Sequence, residues 1–400
     1  MSKIYDAIVT TVSGMLPSVG IFNSSVADFV EGRKNQTYPT TLISPVWIHC
    51  ASLGEFEQGR PLIEAIKKEW PDQHMVLTFF SKSGYDIRKS YPLADWIGYM
   101  PIDTKREAEK FINAIRPRLA IFVKYEFWYN HLDQLSLNHI PFIFISTNFF
   151  KGHYLLQYWN RWLLDKVLKA SAFFVQDESS KNILNSLGYK NGIVTGDTRV
   201  DRVLDLLSGI HPLEYFDSNT QCQPILVAGS TWPADEFVLK DFLKYLEWRK
   251  NKDSTAGTYR FIMAPHNPSA SRVAELTNLY AEYNPILYSN WRGEPFKVLI
   301  VDSIGILNRL YGYAQVAYVG GGFGRGIHNI LEPAVYGIPV FFGPKHSSFA
   351  EAGNLIKRGV AFSIQNVSEL KSIWNVQIPQ NLPVIKSNAS KFFADNNGAT

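Results

Sequence analysis

Short apolar runs recur along the chain, each closed by a glycine, a serine or an acid and followed by a stretch with helical spacing. Val46 to Ala51, Met75 to Phe80, Ile97 to Asp103, Leu119 to Lys124, Pro141 to Ser146, Phe173 to Asp177 and Gly192 to Thr195 read as buried strands. Helices are predicted over Phe56 to Glu69, from about Thr104 to Ile115 and, rich in aromatics, from about Tyr154 to Ala170. A spacing of roughly 25–35 residues between runs is what βαβ units require, so residues 31–205 are expected to form a doubly wound α/β domain. Residues 206–223 are polar, contain Pro212 and show no clear period, and are placed as a linker. Pro224 to Ala228, Tyr259 to Ala264, Val298 to Val301, Val316 to Val319 and Ile338 to Phe342 then predict a second such domain over 224–385. Its helices start near Ala234, after Gly305 (reaching about Tyr313), at Ile330, at Ala350 and at Val367. The tail, 386–400, is expected to pack back on the first domain.

The segment before the first strand is different. Ile4 to Phe22 is moderately apolar but holds Asp6, several Ser and Thr, and Pro17, too polar and broken for a span of roughly 20 apolar residues. It lacks the basic start and cleavage site of a signal peptide. Two readings stay open: a helix lying on a membrane surface, or an ordinary packed N-terminal helix.

The most distinctive stretch is Val316 to Phe349. A strand runs into Gly320, Gly321 and Gly322, then Gly324 and Gly326, and His328-Asn329 leads into the helical pattern of Ile330 to Val335. Glycine lets backbone N–H groups approach a ligand closely, and a helix start favours an anion. The plain alternative is a glycine-rich turn that only reverses the chain. Neither the dinucleotide fingerprint nor a P-loop is present. Ser230 and Thr231, at the end of a strand, either cap the next helix or bind a phosphate. His266 also stands at a strand end. Glu55 and Glu126 each follow a strand on the side where parallel sheets bind ligands, where a carboxylate can serve as a base. For Glu55 the equal alternative is a helix-start charge favoured by the dipole.

Composition narrows the classes. A hydrophobic content of 46% is that of a globular protein, and a formal charge of +4 does not argue for a nucleic-acid partner. The 14% aromatic content fits thick packing or a surface that meets lipid or sugar. Cys50 and Cys222 form no disulfide framework or metal motif, which suits a reducing compartment. Two doubly wound domains facing each other across a cleft suit a nucleotide-sugar glycosyltransferase. No Asp-x-Asp occurs, so a metal bridging a diphosphate is not indicated.

Ser52-Leu53-Gly54-Glu55, Glu126 with Trp128 and Asn130, Gly196-Asp197-Thr198-Arg199-Val200-Asp201, Gly229-Ser230-Thr231, Pro265-His266, and His328-Asn329-x-x-Glu332-Pro333 with Gly343-Pro344 and Phe349 resemble the Kdo transferases. That family moves 3-deoxy-D-manno-octulosonic acid (Kdo) from CMP-Kdo to a lipid A precursor, lipid IVA. The resemblance implies a two-domain GT-B fold, inversion at the anomeric centre, no metal or other cofactor with CMP-Kdo as co-substrate, and a place on the cytoplasmic face of the inner membrane. It makes residues 1–30 a membrane-associating segment and Glu55 the general base, with Glu126 a second acid. It puts the donor on Ser230, Thr231, Pro265, His266, Ile304, Gly305, Ile306, Gly321, Gly322, Asn329, Ile330, Leu331 and Glu332, the last on the ribose hydroxyls.

The chain departs from the family pattern at particular positions. Lys124 and Tyr129 stand where many members have glutamate and proline, in a run otherwise Glu-Thr-Glu-Leu-Trp-Pro-Asn. The usual basic residue after Pro265 is His266, and an Asn-Ala-Arg-Leu-Ser run expected near Ser146 to Phe150 is absent. Rival readings are a GT-B transferase that uses another sugar nucleotide, and a non-catalytic nucleotide-binding scaffold on a membrane.

Overall fold

The apolar runs form parallel strands with both faces covered. The computed structural model describes residues 2–34, 36–208, 212–216, 224–253, 259–347, 349–376 and 378–400. The first sheet contains β1 (Val46–Cys50), β2 (Met75–Phe79), β3 (Trp96–Tyr99), β4 (Leu119–Val123), β5 (Phe142–Thr147), β6 (Ala172–Val175) and β7 (Gly192–Val194) in the order β3-β2-β1-β4-β5-β6-β7. Every residue of β1 and β2 is buried, as a parallel sheet between two helical layers requires. The second contains β8 (Ile225–Thr231), β9 (Arg260–Pro265), β10 (Ile286–Leu287), β11 (Val298–Ile300), β12 (Val316–Val319), β13 (Val340–Phe342) and β14 (Ala361–Ser363), ordered β10-β11-β9-β8-β12-β13-β14. In each sheet the strand order reverses beside the first strand, between β1 and β4 and between β8 and β12. Such a reversal leaves a crevice at the carboxyl ends, the usual ligand position in open α/β sheets.

The chain divides into two units, residues 1–202 with 396–400, and residues 203–395. The boundary falls inside the helix Thr198–Ser208. Of the expected linker, 209–211 and 217–223 lie outside the described residues. The high aromatic content is largely core. Trp47 packs edge-on against Phe111 and Phe122, with ring centroids 5.1 and 5.2 Å away, and Phe144 stacks on Phe173 at 5.0 Å.

Ahead of β1 stand the helices Ser2–Gly20 and Ser24–Lys34. The first is pinned by its polar face. Tyr5 Oη donates to Asp103 Oδ2 at 2.7 Å, and Asp6 Oδ1 accepts from the Lys105 backbone N–H at 2.8 Å. Its other face leaves Ile4, Ile8, Val12, Met15 and Val19 exposed at helical spacing. Among the described residues no helix is long and apolar enough to cross a membrane.

Several expected elements differ. The aromatic helix from Tyr154 to Ala170 is two single 3-10 turns, Tyr154–Leu156 and Tyr158–Asn160, then a helix only from Arg161 to Val167. Gln157 between the turns is extended, and the Asn160 side chain bonds the Tyr154 carbonyl at 2.8 Å, giving the backbone a partner outside a helix. The strand expected up to Asp103 stops at Tyr99 because Pro101 has no N–H to continue the ladder. The helix expected to reach Tyr313 is Leu307–Leu310 followed by a 3-10 turn, Tyr311–Tyr313. Residues from Lys386 are the second half of a helix, Ile378–Asn396, and only 396–400 group with the first unit. There Asp201 accepts from Gly398 N and Thr400 N, each at 2.7 Å.

Candidate functional site

The two acids singled out in the first unit follow β1 and β4, the strands flanking the reversal of its sheet. The helix after β1 begins at Leu53, so Glu55 lies in its first turn, where the dipole favours a carboxylate. The Ser52 hydroxyl donates to Glu55 Oε2, and Lys124 Nζ stands 3.9 Å from Oε1. Lys124 is the first residue after β4 and has φ 64, left-handed backbone that a lysine adopts only at a cost. Its departure from the family pattern thus places a cation, not an acid, beside Glu55.

Glu126 is anchored from behind. Trp128 Nε1 donates to its Oε2 at 2.7 Å, and His49 Nε2 lies 3.2 Å from the same oxygen. His49 is fully buried. Its Nδ1 is 2.9 Å from Thr78 Oγ1, which accepts from Trp47 Nε1 at 2.8 Å.

In the second unit, Ser230 is the penultimate residue of β8 and has φ 53, where the pairing with β9 shifts register between Gly229 and Thr231. Thr231 is 1% exposed, and its hydroxyl donates to the buried Glu236 at 2.8 Å. Asp235 pins the glycine loop to this turn. Its Oδ2 accepts from Gly321 N and Trp232 N, both at 2.9 Å, and its Oδ1 accepts from Tyr318 Oη at 2.7 Å. Burial raises the Asp235 carboxyl above its ordinary value, and these donors offset part of the rise. A β-carbon on Gly320 would fall 2.3 Å from Ser230 O, and one on Gly322 2.6 Å from Gly343 N. These glycines are therefore required for close packing of backbone on backbone.

At the ends of β8, β9 and β12 three rings stack. The Trp232 and His266 centroids are 5.0 Å apart and those of His266 and His328 4.3 Å. Trp232 Nε1 donates to His328 Nε2 at 3.1 Å. Burial, then the charge of His266, lowers His328 to about 4, so its imidazole is neutral near neutral pH. The helix expected at Ile330 is one turn, Leu331–Ala334, closed early where Gly337 turns left-handed at φ 73. Ile330 and Leu331 are fully buried, so they can offer a ligand only backbone. Asn329 accepts from Leu331 N at 3.1 Å and donates to Glu332 Oε1 at 3.1 Å, which orients that carboxylate. Ile304 is 85% exposed beside Gly305, whose φ is 95, on the loop after β11. Pro265 is buried at the end of β9, and His266 is exposed beyond it. Among the described residues no three His, Cys, Asp or Glu side chains converge as a metal site would require.

Sequence reasoning missed the groups behind these residues. His49 and Thr78 interrupt apolar runs, and as directly paired partners on neighbouring strands they were the available signal. Trp232 and Asp235 carried no such signal, and His328 was singled out in its motif but given no role.

Residues 25–202 match the family described as 3-deoxy-D-manno-octulosonic-acid transferase (kdotransferase). The chain is similar to the 3-deoxy-D-manno-octulosonic acid transferase of Chlamydophila psittaci, 28% identical over 86% of this chain and 79% of that protein. It is 26% identical to a bifunctional glycosyltransferase/methyltransferase of Fusobacterium nucleatum, over 84% of this chain but only 53% of the longer protein, so it spans about half of that relative. In fold it is similar to MurG of Acinetobacter baumannii (TM-score 0.55, 13% identity, 89% of this chain and 97% of the other).

Proposed function

From this similarity to the Kdo transferases, we propose that the chain is a glycosyltransferase of that family and moves Kdo from CMP-Kdo to a lipid A precursor, lipid IVA. The reaction proceeds with inversion and without a metal cofactor. The observation that carries this reading is the placement of Glu55 and Glu126 after β1 and β4, flanking the reversal of one sheet. Glu55 takes the proton from a glucosamine hydroxyl as that oxygen bonds the anomeric carbon of Kdo. The bond from that carbon to the CMP phosphate breaks, and CMP leaves with the electron pair. Lys124 and the Ser52 hydroxyl hold the Glu55 carboxylate in place.

The donor is assigned to the second unit. Ser230, Thr231, Gly321, Gly322, Pro265 and His266 lie at the ends of β8, β12 and β9, with Ile304, Gly305 and Ile306 after β11. Thr231 contributes backbone, its hydroxyl being bonded to Glu236. Glu332, oriented by Asn329, accepts from the ribose hydroxyls. The exposed stripe of Ile4, Ile8, Val12, Met15 and Val19 supports an interfacial helix that rests on the cytoplasmic face of the inner membrane, where the lipid acceptor lies.

Incubation with CMP-Kdo and the tetraacylated lipid A precursor under chelation tests this. The expected result is CMP release matched by a Kdo-bearing lipid. Transfer from another sugar nucleotide but not from CMP-Kdo would overturn the donor assignment.

A further inference from the structure

We propose that His49, buried behind the candidate site, is a positioning residue that holds Glu126 as an acceptor-only carboxylate, so that Glu126 binds a hydroxyl of the acceptor sugar and moves no proton. The inference rests on the transferase reading only for the identity of the sugar. The hydrogen-bond inventory gives the direction. An indole N–H can only donate, so Thr78 Oγ1 accepts from Trp47 at 2.8 Å and Glu126 Oε2 accepts from Trp128 at 2.7 Å. The His49 ring bridges these two oxygens, with Nδ1 2.9 Å from Thr78 and Nε2 3.2 Å from Glu126. An ionised Glu126 is satisfied by an imidazole that carries a proton on Nε2 and donates it to Oε2.

The result is an asymmetric carboxylate. Oε2 takes two hydrogen bonds from rings that are sealed in or packed: His49 is fully buried, and Trp128 stacks on Phe80 with centroids 4.8 Å apart. Oε1 takes no hydrogen bond from the described residues, and the side chain keeps 15% of its surface. A carboxylate fixed on one oxygen and open on the other is a preorganised acceptor for a sugar hydroxyl. It contrasts with Glu55, which is met by a serine hydroxyl and an ammonium at 3.9 Å on a flexible stem.

The test pairs kinetics with a signature of the imidazole itself. His49→Gln keeps an N–H donor near the Nε2 position, and His49→Phe removes it. In the holo-assay with CMP-Kdo and the tetraacylated acceptor, His49→Phe should raise KM for the lipid acceptor by roughly tenfold or more, the worth of a hydrogen bond to a charged group. KM for CMP-Kdo should be unchanged and kcat only modestly lower, and His49→Gln should recover most of the loss. Equal losses in both variants confined to kcat, or a matching rise in KM for the donor, would overturn the proposal. Should His49→Phe fail to fold, nitrogen-15 correlation spectra of the intact wild type decide. The proposal requires a proton on His49 Nε2, with that proton resonance moving in Glu126→Gln. An Nε2 without a proton, or a resonance indifferent to Glu126→Gln, would overturn it. Because the spectra need no substrate, an absence of transfer from CMP-Kdo would count against the function proposed above and leave the His49 assignment standing on its own result.

Discussion

His153 shows what burial does to a single titratable group here. It is 4% exposed, ringed by Phe127, Phe149, Phe150 and Tyr154, and its Nδ1 accepts from the Leu155 backbone N–H at 3.2 Å. Burial lowers it from 6.5 to about 4, so the folded chain carries it neutral where the unfolded chain binds a proton. Its contribution to stability is therefore complete above about pH 6.5 and is lost as pH falls towards about 4, a change on the order of 2–3 kcal/mol. His328, also lowered to about 4, steepens the same window. Urea unfolding of wild type should show stability falling through this range, and His153→Gln should fall less steeply. An unchanged slope in the variant would show that His153 titrates normally. The residue scale was also where the sequence was hardest to read. Glu55 and Glu126 could be found from their positions after apolar runs, because chain order alone puts a post-strand residue at a sheet edge. His49 could not, because its partner Thr78 and its target Glu126 are near it only after β1, β2 and β4 align. The left-handed φ values at Ser146 and Ser230 likewise fall where the register of neighbouring strands shifts, and no glycine marks them.

At the scale of elements, apolar runs predicted every strand of the first sheet to within a few residues at its ends, because a strand buried on both faces needs little beyond a run of apolar side chains. Helices were less legible where local chemistry offered the backbone other partners, as at Asn160, or where a left-handed glycine closed them, as at Gly337. The glycine stretch was read for its room for a ligand. In the fold much of it is consumed by contact between Gly320 and Ser230 and between Gly322 and Gly343, a tertiary demand that a linear pattern cannot display. The N-terminal helix divides its faces. Tyr5 and Asp6 dock one side, and the exposed stripe is left on the other. If that stripe meets lipid, Ile8→Ser with Val12→Ser should cut sedimentation with anionic liposomes several-fold and leave the thermal unfolding midpoint nearly unchanged, since both side chains are exposed. Undiminished liposome binding would assign membrane contact to another surface.

At the scale of the molecule, each unit repeats one solution. A parallel sheet reverses its strand order beside its first strand, and the functional candidates gather at the ends of the strands that flank the reversal. In the first unit these are Glu55 and Glu126, and in the second Ser230, Thr231, Gly321 and Gly322, with His266 on the neighbouring strand end. The doubly wound class of both units was legible because the βαβ rhythm is local and repeats. The proposed division of labour between units rests on the glycine loop and helix start of the second, the acids of the first and the family resemblance, since periodicity carries no information about which sheet meets which substrate. The central claim is that Glu55 is the base of a transfer whose donor is held elsewhere. It is tested most directly by measuring CMP release from CMP-Kdo and equilibrium CMP binding for wild type and Glu55→Gln in parallel. Turnover in Glu55→Gln should fall by roughly 100-fold or more, with CMP affinity within about twofold of wild type. Turnover undiminished in Glu55→Gln, with wild type active, would contradict it.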